Sequence, residues 1–262
     1  MGAIVVQAEG LSVGYPKRVV QHSLSFCLRS GTLACLLGAN GVGKSTLLRT
    51  LCGAQPALEG SLKVMGKLLD AYSPRELSRV VGVVLTDKTY AGGLTVRELV
   101  ALGRWPHTGF WGRLSRRDEQ VVDEMLQRTG IAHKQHCHVA ELSDGERQKA
   151  MIAKALVQEV PLIVLDEPTA FLDVVSRLEI MALLQTLAHD GHKAILLSTH
   201  DVEQALLTAD ELWLMSDDGI TCGDTHGLLG KHGMDGLFAR QGLVFDYEHL
   251  RYTKPTTPRE NG

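Results

Sequence analysis

Residues 38–46 read Gly38-Ala39-Asn40-Gly41-Val42-Gly43-Lys44-Ser45-Thr46. The apolar run Leu33-Ala34-Cys35-Leu36-Leu37 enters this stretch, and Leu47-Leu48-Arg49-Thr50-Leu51 leaves it with helix-forming residues. Strand, glycine turn and helix, in that order, are the context in which G-x-x-x-x-G-K-[ST] reads as a phosphate-binding loop. Gly38, Gly41 and Gly43 carry no Cβ, so the backbone turns sharply and brings its N–H groups against oxyanions. The helix opening near Lys44 adds partial positive charge aimed at the same phosphates. Lys44 supplies a full charge to β/γ-phosphates, and the Ser45 hydroxyl suits a Mg²⁺ ion. A glycine-rich turn that binds nothing is the alternative; the Lys-Ser pair and the flanking elements argue against it.

Around this loop, 262 residues are enough for a large core, as one domain with an inserted subdomain. Composition is that of an α/β globular protein, 44% apolar and 22% charged with mean hydropathy +0.01. A formal charge of −3 implies no strong global attraction to nucleic acid or an anionic membrane. No apolar stretch reaches spanning length, and the N-terminus lacks a basic-then-apolar signal pattern. The expectation is a cytoplasmic protein whose membrane role, if any, runs through a partner. Cys27, Cys35, Cys52, Cys137 and Cys222 have no C-x-x-C spacing, and Cys27 and Cys35 read as reduced core thiols.

Residues 4–37 read as short strands and turns, with Tyr15 at a strand end. Tyr15 is open to two readings: a ring stacked on a purine, or a tyrosine packed at a sheet edge. Ser61–Met65 alternates as a strand, Ser73-Pro74 opens a short helix, and Val80–Leu85 reads as a buried parallel strand. From 86 to about 160 strand signals vanish and amphipathic helices replace them, a helical insertion in the α/β core. Thr95 and Glu98 have capping-box spacing, and Val121, Val122, Met125 and Leu126 form an inward stripe. Residues 103–112 read as a loop holding Trp105, Phe110 and Trp111, aromatics that either bind something or fold onto nearby helices. Three residues of His133-Lys134-Gln135-His136-Cys137-His138 could ligate zinc, but no second ligand pair with suitable spacing follows, so a solvated loop is expected there. After residue 160 strands return. A helix with Leu178, Met181, Leu184 and Leu187 on its inner face follows the first, and Asp201 caps the helix after the second. A hairpin turns at Asp217-Asp218-Gly219, and residues 254–262 read as a frayed tail.

Leu162-Ile163-Val164-Leu165 ends in two acids, Asp166 and Glu167. In an open α/β sheet ligands lie beyond the C-terminal strand ends, so these acids can meet the glycine loop. Asp166 suits Mg²⁺, and Glu167 suits orienting and deprotonating an attacking water. His200, in the polar tip of the strand read over residues 194–201, can hold a γ-phosphate and that water. An acidic turn capping the next helix is the bland alternative, weakened by the co-occurrence of all three parts.

These residues, with Leu142-Ser143-Asp144-Gly145-Glu146, Leu165-Asp166-Glu167-Pro168 and Phe171-Leu172-Asp173, stand in the order found in ABC-transporter ATP-binding subunits. The resemblance covers nearly the whole chain. Gly103-Arg104-Trp105-Pro106 and Trp111-Gly112-Arg113 resemble the importer branch for iron-siderophores, haem and cobalamin. It implies a P-loop NTPase core of ABC ATPase type, with an N-terminal antiparallel β region and an inserted helical subdomain. It implies ATP and Mg²⁺ as cofactors and a homodimer in which Ser143, Asp144 and Gly145 meet the γ-phosphate held by the other copy's Lys44. It also implies that Asp173 communicates between sites, that Tyr15 stacks on adenine, and that the aromatic stretch near 104–112 faces integral-membrane permease subunits. An extracytoplasmic substrate-binding protein and a peripheral position on the cytoplasmic face of the membrane follow from the same likeness. Two departures stand out. Asp144 brings a charge where the family's common form has glycine, and Thr86, a shorter side chain whose hydroxyl can ligate Mg²⁺, falls where the family places a glutamine that binds Mg²⁺ and the attacking water. Other members of the superfamily, such as exporter cassettes and regulatory or nucleic-acid-associated ATPases, share this core. The latter usually carry two cassettes or a long coiled coil, and this chain has neither.

Overall fold

The computed structural model describes residues 2–85, 93–109, 111–235, 237–238 and 242–254. The chain runs β1 (Ile4–Tyr15), β2 (Arg18–Arg29), β3 (Thr32–Gly38), α1 (Lys44–Leu51), β4 (Glu59–Val64), β5 (Lys67–Leu68), α2 (Pro74–Leu77) and β6 (Val81–Val84). It continues through α3 (Val96–Ala101), α4 (Arg116–Arg128) and α5 (Asp144–Leu156) to β7 (Leu162–Asp166), α6 (Val174–His189), β8 (Ala194–Ser198) and α7 (Val202–Thr208). It closes with β9 (Glu211–Ser216), β10 (Gly219–Asp224), α8 (Thr225–Gly230) and the small hairpin β11 (Val244–Asp246) and β12 (Arg251–Thr253).

Two larger sheets organise these elements. A four-stranded antiparallel sheet has the order β2-β1-β4-β5, and a six-stranded sheet has the order β10-β9-β3-β8-β7-β6. In the second, β9, β3, β8, β7 and β6 are all parallel, and only β10 turns back as a hairpin partner of β9. Strand β3 explains how the layers form. Its apolar residues leave no polar face, as a strand covered on both sides requires. Leu33, Cys35 and Leu37 point into a core shared with α3, α4, α5 and α6. Ala34 and Leu36 point into a second core made with β1, β2, β4 and α1.

The helical insertion starts each of its helices with the same local device. Thr95/Glu98, Ser115/Asp118 and Ser143/Glu146 are reciprocal capping boxes, as is Ser73/Glu76 before α2. The stretch read as a 103–112 loop begins as a 3₁₀ turn, Leu102–His107, because Arg104 is pulled inward. Arg104 meets Asp118 (Nε to Oδ1, 2.8 Å), the Val157 carbonyl (2.6 Å) and Glu159 (2.8 Å). Its neighbours turn outward: Trp105 is 63% exposed and Trp111 82% exposed. Phe110 lies outside the described residues.

Two expectations fail. Leu178 is 57% exposed, with Met181, Leu184 and Leu187 buried as expected, because the start of α6 also carries apolar residues on its outer side, where Val174 and Val175 are 69% and 65% exposed. Cys27 is exposed, since in β2 it alternates with the inward Phe26 and Leu28. Among the described residues no helix is long and apolar enough to cross a membrane.

Candidate active site

Three neighbouring strand ends make the site. The chain visits β3, β7 and β8 in that order, but the sheet sets them as β3-β8-β7. The glycine loop leaves β3, the two acids end β7, and His200 follows β8 between them. All three therefore sit at the carboxyl edge of the parallel strands, where such sheets bind ligands.

The loop is pressed against its surroundings so closely that only glycine fits at key points. A Cβ on Gly38 would lie 2.5 Å from the Met215 carbonyl oxygen, and one on Gly43 would lie 2.7 Å from Val20 Cγ1. Gly43 also has φ +113°, in the left-handed region. Gln21 clamps the loop to β9, its Nε2 donating to the carbonyls of Val42 (3.0 Å) and Ser216 (2.7 Å). The first residue of α1 is Lys44, 7% exposed, whose Nζ donates to the carbonyls of Gly38 (2.6 Å) and Ala39 (3.2 Å). Burial lowers its pKa, while the carboxylates of Glu167 and Asp166 pull it back up. The loop's ammonium and the acids of β7 thus feel one another.

No side chain caps α1, and its first turn contains no acid. Its N-terminal N–H groups and the positive end of its dipole are left facing the loop, which fits a phosphate group. Within the same loop Asn40 and Ser45 are exposed, and Val42 and Thr46 are buried.

Asp166 is buried, and Ser198 Oγ donates to its Oδ1 at 2.6 Å. The Glu167 N–H donates to the same Ser198 oxygen at 3.0 Å. Glu167 leaves the strand with φ +48°, an uncommon setting for a residue with a side chain. Its carboxylate Oε2 stands 3.6 Å from His200 Nδ1. Ser45 and Asp166 offer hard oxygen donors of the kind that suit Mg²⁺.

Ser143, Asp144, Gly145 and Asp173 form a second group. Ser143 caps α5, with Glu146 bonding back to the Ser143 N–H (2.9 Å) and hydroxyl (3.0 Å). The Asp144 carboxylate pairs with Arg147 at 2.9 Å, one turn along, which partly offsets the charge that departs from the common form. A Cβ on Gly145 would lie 3.1 Å from the Phe171 carbonyl oxygen, so the start of α5 abuts the turn leading to Asp173. Asp173 caps α6 through the Ser176 N–H (3.0 Å) and hydroxyl (2.7 Å). One turn on, Arg177 donates to Asp201 at 2.8 Å, tying α6 to the residue after His200.

Tyr15, exposed, ends β1 at the hairpin whose Val20 touches Gly43, and the Gln55 amide donates to the neighbouring Gly14 carbonyl. Thr86 lies outside the described residues. The stretch from His133 to His138 is tied into the fold: the carbonyls of Gln135 and Cys137 accept the Arg97 and Val96 N–H groups at 3.0 Å, and Lys134 pairs with Glu146 at 3.3 Å. Among the described residues no three His, Cys, Asp or Glu side chains gather as metal ligands. Gln21 and Ser198 were not singled out by sequence reasoning. The only sign of Ser198 is that it is the one hydroxyl closing an otherwise apolar strand.

Comparison with known proteins agrees with this geometry. Residues 21–170 match the family model described as ABC transporter. The ferric enterobactin transport ATP-binding protein FepC of Escherichia coli (strain K12) is 36% identical over 79% of this chain and 76% of its own length. The iron(3+)-hydroxamate import ATP-binding protein FhuC of Bacillus subtilis (strain 168) is 35% identical over 76% of this chain and 74% of its own. A solved ATP-binding subunit of an ABC transporter shares the fold with TM-score 0.79 at 23% identity, over 90% of this chain and 98% of that one. With a phosphate-binding loop, paired acids and a histidine on adjoining strand ends, and with relatives of this kind along most of its length, the chain belongs to the ABC transporter family as one of its transport-coupled ATPases.

Proposed function

We propose that this chain hydrolyses ATP to energise uptake of an iron complex, such as a siderophore or haem, or of cobalamin, through partner membrane subunits. The observation that carries the hydrolytic part is the convergence of Lys44, the Asp166–Glu167 pair and His200 on one sheet edge. The importer part is supported by the likeness to FepC and FhuC.

In this reading the amides of residues 38–46 and the Lys44 ammonium bind the phosphates, with Tyr15 against the adenine. Ser45 and Asp166 would hold Mg²⁺, which neutralises phosphate charge when bound. Glu167 orients and deprotonates the attacking water, and His200 steadies the water and the terminal phosphate. Ser143, Asp144 and Gly145 of a second copy close on that phosphate, and Asp173 relays between the two sites. Closure does work only if it discriminates ATP from ADP, because a ligand bound equally by open and closed states shifts neither. The exposed Trp105 and Trp111 face the permease subunits, which an extracytoplasmic binding protein supplies with cargo.

Phosphate release tests the hydrolytic part: Glu167→Gln should retain ATP and release phosphate on the order of 10²-fold more slowly than wild type or worse. Turnover at the wild-type rate removes Glu167 as the base. Uptake of labelled ferric siderophores, haem and cobalamin by cells lacking this chain tests the importer part. Loss of uptake of one of these is expected, and undiminished uptake of all of them contradicts it.

A further inference from the structure

We infer that Ser198 is a positioning residue for the reaction: its buried hydroxyl fixes the Asp166 carboxylate and the Glu167 backbone relative to one another. The inference rests on the proposed reading of Asp166 as the metal-side acid and Glu167 as the base.

Ser198 is the last residue of β8, which lies between β3 and β7. It pairs with Leu36 on one side and Asp166 on the other. The four residues before it, Ala194-Ile195-Leu196-Leu197, are apolar and buried, and Ser198 itself is 0% exposed. A hydroxyl so placed must find partners, and it has one proton and two lone pairs to use. Its proton goes to Asp166 Oδ1 at 2.6 Å, and a lone pair receives the Glu167 N–H at 3.0 Å. The two bonds are directional and linked. With its single proton committed to the carboxylate, the oxygen turns a lone pair towards the Glu167 amide.

The second bond falls where the ladder between β7 and β8 stops. Asp166 is the last paired residue of β7, and Glu167 turns away with φ +48°. A side-chain oxygen takes up the N–H that the ladder no longer serves, at the residue whose backbone is held in an unfavourable setting. The orientation of that peptide aims the Glu167 carboxylate, now 3.6 Å from His200 Nδ1. Without the hydroxyl, Asp166 loses a charge-assisted donor and Glu167 loses the tether of its amide.

A role confined to packing would change only stability, so the test reads other quantities. The full chain is compared as wild type, Ser198→Ala, Ser198→Thr and Ser198→Cys. The first readout is hydrogen exchange of the Glu167 amide without nucleotide; the second is the Mg²⁺ concentration giving half-maximal phosphate release at saturating ATP. In Ser198→Ala the amide should exchange faster, the Mg²⁺ requirement should rise several-fold, and kcat should fall about 10- to 100-fold, as for other outer-shell partners of a metal ligand. ATP affinity without Mg²⁺ should hold, and Ser198→Thr should restore exchange and turnover. Ser198→Cys, close in size but a weaker donor, should move every readout in the same direction, and it decides the matter if the alanine variant does not fold. Unchanged exchange and Mg²⁺ dependence, even with a lower melting temperature, would overturn the inference. Asp166→Asn and Glu167→Gln run in parallel. If these two behave as wild type, the reading of the acids fails; if they are impaired while Ser198→Ala is not, only the positioning role fails.

Discussion

Replacing Arg104 by methionine probes the join that holds the helical insertion together. The guanidinium is almost wholly enclosed, and it satisfies Asp118 on α4, the carbonyl of Val157 at the end of α5, and Glu159 beyond it. Methionine keeps the length and the apolar stem but provides no donor. Removing one partner of a buried pair costs about 3–5 kcal/mol, because the remaining charge stays desolvated. Here the lower end applies, since Asp118 keeps the Ser115 N–H (2.9 Å) and hydroxyl (2.6 Å) as donors. A loss of about 3 kcal/mol in a chain of this size lowers the melting temperature by roughly 6–12 °C, at 2–4 °C per kcal/mol. Thermal unfolding followed by circular dichroism measures it. Adding Asp118→Asn to Arg104→Met should cost less than the two single changes summed, because the orphaned charge is gone. A single-variant loss below about 1 kcal/mol, the range of exposed ion pairs, would refute the reasoning that this network is desolvated and structural.

Two further outcomes follow from the same geometry. Lys44→Ala should lose nucleotide binding in a titration, since it removes the ammonium folded over the loop; undiminished affinity would remove the phosphate-loop reading. Acid should destabilise the chain partly through Asp118. Burial alone would raise its pKa, but the donors from Ser115 and Arg104 outweigh that and bring it from 3.8 to about 2. A carboxyl held lower in the folded state stabilises the fold above its unfolded pKa, and that contribution disappears as pH falls from about 4 to about 2. Stability against pH should therefore fall less steeply there in Asp118→Asn, and an unchanged slope would contradict it.

What could be read beforehand, and what could not, divides by distance along the chain. The glycine loop, the acids after Leu165 and the caps at Ser73, Thr95 and Asp201 are signals within a few residues, and the structure forms those elements. Leu178 departs from its helical period because the exposed Val174 and Val175 put apolar residues on the outer side of α6 as well, so periodicity there does not choose a face. Cys27 faces out because β2 alternates there, a period that the apolar content around residues 24–28 obscures in the sequence. The supports of the site are the hardest to see. Ser198 meets Asp166 across 32 residues of chain and Gln21 meets Ser216 across 195, pairings that exist only once the strand order is known. Arg104 carried a motif-like likeness, yet its burial depends on Asp118 and Glu159 arriving from two other elements.

Molar mass in solution bears on the centre of the account, the closing of two copies on one terminal phosphate. Glu167→Gln in ATP, followed by light scattering, should weigh twice its 28.5 kDa and fall back to a single copy when Ser143→Arg is added. A Glu167→Gln chain that binds ATP yet keeps the mass of one copy would contradict it.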